Sequence, residues 1–129
     1  MPAAHGQLVV LDAWPIIEHY EGNDPASAEI DTLVARHGPR PIMSATTFTE
    51  VYYTLANRHD ASSAERESHE LLRLVSVEPV DTPTAAVAAR IKHTYRMSLG
   101  DAFAAAASAI RHGAELWTGD PELLCPDRV

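Results

Sequence analysis

The chain has 129 residues, of which 46% are hydrophobic and 22% charged, a composition typical of one soluble globular domain. A single cysteine excludes an internal disulfide, no apolar stretch approaches the about 20 residues that span a bilayer, and the start lacks the features of a secretory signal. The net charge of −8 disfavours broad, nonspecific nucleic-acid binding, which depends on neutralising phosphates. We predict a single cytoplasmic domain over residues 1–129.

Predicted strands and helices alternate along the first half of the chain. Four consecutive aliphatic residues at 8–11 are typical of a strand buried on both faces of a parallel sheet. His37-Gly38-Pro39 ends a run of apolar residues at helical spacing. The predicted elements are a strand at 7–12, a helix opening at Trp14 and Pro15, a helix at 26–36, a strand at 41–44 and a helix from 45 or 46 to 57.

The second half continues the same alternation. Ser98-Leu99-Gly100 interrupts it before an alanine-rich segment, whose Ala102, Ala105, Ala106 and Ala109 predict a helix lying close to the sheet. The predicted elements are a cap-like segment at 60–63, a helix at 64–74, a strand at 75–80, a helix at 84–95, a helix at 101–112 and a strand at 115–118. Such alternation predicts an α/β fold with a parallel sheet covered on both faces.

Four acidic residues adjoin apolar segments: Asp12, Glu50, Asp101 and Asp120. A carboxylate beside buried apolar side chains is costly unless it is paired or binds a cation. Ligands in open α/β sheets gather at the carboxyl ends of the strands, where Asp12 and Asp120 are predicted to lie. Asp101, in the first turn of its helix, reaches the same rim. The pattern therefore predicts one convergent acidic site.

Oxygen ligands of this kind suit hard divalent cations such as Mg²⁺ and Mn²⁺. A cation held there lowers the pKa of a bound water and stabilises charge on a phosphoryl group, so no covalent nucleophile is needed. Thr118 is placed to hydrogen-bond a ligand carboxylate or a metal-bound water. Zinc is disfavoured, since the seven histidines include no His-x-x-x-His pair.

Each acid also has a purely structural interpretation. Asp12 could cap the following helix, Asp101 could be a favourable first-turn acid, and Asp120 before Pro121 could start a turn. Glu50 is harder to explain, because no basic residue lies three or four positions away. Taken together, the four acids favour a site.

Other residues carry weaker functional interpretations. A basic group near the end of one helix could meet a phosphate backbone, although a solvated helix face is the simpler explanation. Three aromatic residues could stack on bases, although core or dimer contacts are commoner uses. The basic residues are Arg90, Lys92, His93 and Arg96, and the aromatic residues are Trp14, Tyr52 and Tyr53. Cys125 lacks a basic activator nearby in sequence, and no glycine-rich phosphate loop is present.

Taken in order, several short segments resemble the PIN domain, and within it the VapC-type toxins of bacterial toxin–antitoxin pairs. They are Val9-Val10-Leu11-Asp12-Ala13, Thr49-Glu50-Val51, Ser98-Leu99-Gly100-Asp101-Ala102-Phe103-Ala104-Ala105-Ala106 and Leu116-Trp117-Thr118-Gly119-Asp120. The resemblance implies a three-layer α/β/α sandwich with a central parallel sheet, and a Mg²⁺- or Mn²⁺-dependent endoribonuclease. It also implies a homodimer and a small antitoxin whose tail, often carrying an arginine, enters the acidic groove.

The family's acidic quartet would then be Asp12, Glu50, Asp101 and Asp120. The resemblance makes Asp12 and Asp101 the principal metal ligands, while Glu50 and Asp120 complete the site or position the water. Gly100 stands where the family often has alanine, which we expect to loosen the approach to Asp101. The chain also ends soon after Glu122-Leu123-Leu124, where many relatives continue into another short strand.

Two alternatives stay open at the level of sequence. One is a noncatalytic PIN-like binding module that acts through a protein partner, although such a module would be expected to lose some of the four acids. The other is a different acidic phosphohydrolase or a receiver-like fold. A receiver would need a lysine at the end of the sheet, and the sole lysine, Lys92, is in a predicted helix.

Overall fold

A computed structural model describes residues 6–111 and 113–119. Within these residues the chain forms four short strands and six helices. The strands are β1 (Val9–Leu11), β2 (Ile42–Ser44), β3 (Ser76–Glu78) and β4 (Glu115–Trp117). The helices are α1 (Ala13–Tyr20), α2 (Ala26–Ala35), α3 (Ala45–Arg58), α4 (Ala61–Leu74), α5 (Thr82–Tyr95) and α6 (Leu99–Ile110).

The strands form one parallel sheet in the order β3-β2-β1-β4. Val10 pairs with Ile42 on one side and with Leu116 on the other, so β1 is a central strand. All three residues of β1 are completely buried, as the aliphatic run predicts. The layers confirm the predicted PIN-like α/β/α fold with a central parallel sheet.

Two apolar clusters hold the layers together. The larger cluster joins Val9 and Leu11 of β1 and Met43 of β2 to large aliphatic side chains of α1 to α4. Val10 lies between Val9 and Leu11 and therefore points to the opposite face, where α6 packs against β1, β2 and β4. The smaller cluster joins α5 and α6 largely through alanines: Ala88, Ala102 and Ala106, with Met97. Small side chains allow this second pair of helices to pack closely.

Several element boundaries differ from the sequence predictions. The predicted cap-like segment at 60–63 is shorter, because only Asp60 precedes α4 and caps it. The interruption at 98–100 is likewise only an N-cap, since Ser98 Oγ accepts the backbone N–H of Asp101 at 3.2 Å and α6 begins at Leu99. The prediction that Ala109 faces the sheet is wrong: Ala109 is exposed, and Ala104 is buried instead.

Two helices, α1 and α3, begin at the carboxyl edge of the sheet. Asp12 follows β1 directly and is the N-cap of α1, while Ser44 ends β2 and is the N-cap of α3. Each cap turns the chain from a strand into a helix within one residue, so the first turns of α1 and α3 lie at neighbouring strand ends. No helix in the described part of the chain is long and apolar enough to cross a lipid bilayer.

Candidate active site

A cleft of about 290 Å³ lies at the carboxyl end of β1, between the starts of α1, α3 and α6. We call it the acidic cleft, and its lining residues are Asp12, Ala13, Trp14, Glu50, Asp101 and Gly119. Three of the four acids predicted from sequence therefore share one cleft, although they come from three separate segments. The fourth, Asp120, lies outside the described residues.

Asp12 is the most firmly held acid of the cleft, with only 3% of its surface exposed. Its Oδ1 accepts the backbone N–H of Ala13 at 2.8 Å, and its Oδ2 accepts the hydroxyl of Thr118 at 2.9 Å. The contact with Thr118 is the one expected from sequence. Asp12 is thus both the cap of the following helix, one of the two roles considered from sequence, and a lining residue of the cleft.

Glu50 reaches the cleft from the second turn of α3. Glu50 is exposed, whereas its neighbour Val51 is completely buried on another stripe of α3. Partial burial of its carboxyl group, and secondly the negative charge of Asp12, nevertheless raise the pKa of Glu50 above its ordinary value. The negative charges of Glu50 and Asp12 therefore oppose each other across the cleft.

Gly100 gives the Glu50 carboxylate its space. A Cβ atom at position 100 would lie 2.7 Å from Oε1 of Glu50, which is too close for the present arrangement. From sequence, this glycine was expected to affect the approach to Asp101. In the structure, the residue that a side chain at position 100 would displace is Glu50.

Asp101 lies in the first turn of α6 and is half-buried. Its backbone N–H is bound by Ser98 Oγ, which fixes the start of the helix. The partial positive charge of a helix N-terminus favours the ionised form of an acid placed there. As with Asp12, the structural role and the position in the cleft coexist.

Trp14 and Gly119 complete the cleft, and Gly119 was not among the site residues predicted from sequence. The indole of Trp14 lies directly over this glycine: a Cβ atom at position 119 would overlap Cδ2 and Cε3 of the ring and lie 3.0 Å from Cε2. Trp14 remains 49% exposed. The only sequence signal was a glycine directly after the last strand segment.

A second depression adjoins the other side of the first turn of α6. This basic pocket, about 590 Å³ in volume, is lined by Ala89, Lys92, His93, Arg96 and Leu99. Lys92 Nζ donates to the carbonyl of Met97 at 3.0 Å, and Arg96, in the left-handed conformation with φ of 57°, ends α5. Three of the four basic residues noted in the sequence, Lys92, His93 and Arg96, therefore share this pocket. Leu99, which also lines it, is two residues before Asp101 of the acidic cleft.

The donor set of the acidic cleft fits a hard divalent cation. All three acidic side chains offer oxygen atoms, and Mg²⁺ keeps several waters while binding one or two protein carboxylates. No group of three His, Cys, Asp or Glu side chains among the described residues is placed to hold a metal ion, so an ion in the cleft would rest on one or two carboxylates and on water. A cleft of about 290 Å³ has room for such waters. We therefore find the cleft suited to a partly hydrated ion.

Comparison with known proteins places this geometry in a family. The family model described as the PIN domain matches residues 9–126, whereas no curated protein sequence matches the chain. A toxin–antitoxin complex from Klebsiella pneumoniae is 19% identical, with a TM-score of 0.68 over 87% of this chain and 86% of that one.

Two further solved structures share the fold. VapC20 of Mycobacterium tuberculosis, a sarcin–ricin loop cleaving toxin, is 19% identical, with a TM-score of 0.73 over 95% of this chain and 97% of that one. VapBC2 of Rickettsia felis, solved with a DNA fragment from its promoter, is 12% identical, with a TM-score of 0.70 over 92% of each chain. The family model spans nearly the whole sequence, and the chain therefore belongs to the PIN domain family.

Proposed function

We propose that this protein is a Mg²⁺- or Mn²⁺-dependent endoribonuclease, the toxin of a type II toxin–antitoxin pair, and that it acts in the cytoplasm as a homodimer. The observation that carries the proposal is the meeting of Asp12, Glu50 and Asp101 in one cleft at the carboxyl edge of the sheet. Like-charged groups repel one another, and a bound divalent cation offsets that repulsion.

Each acid has a distinct part in the proposed hydrolysis. Asp12 and Asp101 would hold the cation, which when bound supplies an acidified water and stabilises charge on the phosphate. The raised pKa of Glu50 makes its carboxylate a better proton acceptor than an ordinary glutamate, so we assign it the proton of the attacking water. The water oxygen bonds to phosphorus as the bond to the leaving oxygen breaks. We assign Asp120 to the same site from sequence alone.

The surroundings of the cleft are consistent with an RNA strand and with a protein inhibitor. Lys92, His93 and Arg96 in the basic pocket offer positive charge to phosphates that flank the cleavage site. An antitoxin arginine entering the acidic cleft would form charge-assisted hydrogen bonds with the carboxylates. Similar folds in solved toxin–antitoxin complexes support such a partner.

Charge-removing substitutions at the cleft test the proposal. Asp12→Asn and Asp101→Asn keep the size of each side chain. Asparagine is as good an N-cap as aspartate at position 12, and α6 is capped by Ser98, so the fold should survive both changes. Loss of a group that only orients a metal ligand costs roughly 10- to 100-fold. We expect loss of a ligand itself to lower RNA cleavage by at least about 100-fold. Cleavage of tRNA, ribosomal RNA and messenger RNA with Mg²⁺ or Mn²⁺ is the measurement.

Asp60→Asn is the matched control, because Asp60 also caps a helix but is fully exposed outside the cleft. It should cleave like the wild type. Equal cleavage by all variants would remove the assigned site. Calorimetric titration separates the alternative of a noncatalytic binding module: absence of both Mg²⁺ and Mn²⁺ binding, together with absence of cleavage, would favour that module.

A further inference from the structure

Trp14 is a large aromatic side chain held in an exposed position beside three carboxylates. It is 49% exposed and lines the acidic cleft with Asp12, Glu50 and Asp101. Exposing an indole forgoes the stabilisation that burying its large apolar surface would bring. Trp14 also lies only two residues after Asp12, so any molecule whose reacting group reaches Asp12 passes close to the indole.

Gly119 fixes where the indole lies. Any side chain at position 119 would overlap Cδ2 and Cε3 of the ring, so the backbone of Gly119 supports the six-membered part of the indole. Two separate chain segments, the start of α1 and the end of β4, thus form this support. A ring held in place before binding loses less conformational freedom when a ligand stacks on it.

We propose that Trp14 is the platform on which one RNA base stacks while the neighbouring phosphate occupies the acidic cleft. Aromatic stacking suits this location, because it attracts a nucleotide without adding a positive charge that would repel the cation. Stacking tolerates any base, since every base has a π-face. Trp14 is therefore a positioning residue for the substrate. The inference rests on the proposed function and adds which part of the RNA is held, and by what.

Fluorescence of the unaltered indole gives the first test. The described residues contain two tryptophans, so the Trp117→Phe variant of the full chain leaves Trp14 as the reporter. In the Asp101→Asn background, which prevents cleavage, we expect an RNA oligonucleotide of mixed sequence to quench this emission. Replacing bases one at a time with abasic sites should identify a single position at which quenching is lost. Binding of the RNA without quenching would overturn the proposal.

Kinetics give the second test. We expect Trp14→Ala to raise KM roughly 5- to 100-fold, the range for loss of one stacked base, with much less effect on kcat. Trp14→Phe should restore most of the loss. An abasic site at the critical position should weaken RNA binding by the wild type, but it should cause no further weakening in the Trp14→Ala variant.

Tyr53→Ala is the matched control, because Tyr53 is 65% exposed and does not line the cleft. Failure of this inference is distinct from failure of the proposed function. If Asp12→Asn abolishes cleavage but Trp14→Ala leaves KM unchanged, the nuclease stands and the platform falls. An unchanged KM with weakened dimerisation or antitoxin binding would instead assign Trp14 to a protein interface.

Discussion

The acidic cleft and the basic pocket share the first turn of α6, but their side chains are held very differently. Asp12 is almost completely buried, and both its oxygens accept hydrogen bonds. In the basic pocket, His93 and Arg96 are exposed, and Lys92 reaches a backbone carbonyl from an exposed position. Leu99 and Asp101, two residues apart, line the two sides.

The two regions are therefore suited to different tasks. A group that binds a cation or moves a proton must be held in a narrow range of orientations by its surroundings. A group that neutralises a phosphate works through charge and tolerates freedom. We therefore expect changes in the acidic cleft to alter turnover and metal binding, and changes in the basic pocket to alter the salt dependence of RNA binding.

Thr118→Val should have the largest effect among the variants that retain every charge. It removes the hydroxyl that donates to Asp12 Oδ2 while keeping a similar shape. Loss of such a supporting contact costs about 10- to 100-fold in metal affinity or activity. Calorimetry with Mn²⁺ and the rate of RNA cleavage measure the effect.

Thr118→Ser retains the hydroxyl and is the control for Thr118→Val. It should stay close to the wild type in both measurements. If valine and serine behave alike, the hydrogen bond from residue 118 does not orient Asp12, and the contrast in rigidity between the two regions loses its functional meaning.

Arg96→Asn should weaken RNA binding by a smaller amount that depends on salt. Asparagine tolerates the left-handed backbone at this position, so the end of α5 should persist. Loss of one phosphate contact to single-stranded RNA should reduce the slope of log affinity against log salt by about 0.7. The measurement is the RNA affinity of the Asp101→Asn background at salt concentrations between roughly 50 and 200 mM.

Arg73→Gln serves as the comparison for Arg96→Asn. Arg73 is exposed near the end of α4, just before β3 begins, and so lies at the opposite edge of the sheet from both regions. The slope of log affinity against log salt for Arg73→Gln should match that of the Asp101→Asn background without this change. A slope that changes equally in both variants would mean that overall charge, rather than the basic pocket, governs binding.

Glu50→Gln should have the smallest effect, a pH-dependent gain in stability of the metal-free protein. The raised pKa of Glu50 means that the folded state keeps its proton to a higher pH than the unfolded state, whose value is near 4.5. As pH rises from 4.5 through the folded-state pKa, the wild type therefore loses stability. Glutamine does not titrate and escapes this loss.

Melting temperatures in the presence of a chelator measure this difference between wild type and Glu50→Gln. The advantage of glutamine should be greatest at neutral pH and shrink towards pH 4.5. Glu65→Gln, an exposed position on α4, is the control and should show no comparable trend. A constant difference at every pH would contradict the assignment of the effect to ionised Glu50.

Local patterns in the sequence predicted much of this molecule. An aliphatic run followed by an aspartate predicted both β1 and the position of Asp12, because a buried strand end and a helix cap are specified by adjacent residues. Alanine spacing predicted that α6 packs closely, although it misplaced Ala109. The position of Asp12 at the carboxyl edge followed from the rule for parallel strands, and that of Asp101 from the first turn of a helix packed closely on the sheet.

Contacts between distant segments were beyond the reach of those patterns. Spacing along α3 separates the stripe of Glu50 from the buried stripe of Val51, but it does not show which groups from other segments face Glu50. The space that Gly100 leaves for Glu50, and the support that Gly119 gives to Trp14, each join segments far apart in the chain. The acidic residues could be selected from sequence, whereas the contacts of Gly100 with Glu50 and of Gly119 with Trp14 are seen only in the folded structure.

Gly100 also makes the placement of Glu50 adjustable by a single substitution. Glycine inside a helix is roughly 0.5–1 kcal/mol less favourable than alanine. The Glu50 carboxylate that an alanine would displace is the end of a flexible side chain. One methyl group at position 100 would therefore strengthen α6 while moving Glu50 out of place. Position 100 is thus a place where a single substitution would change the placement of Glu50 while leaving the fold intact.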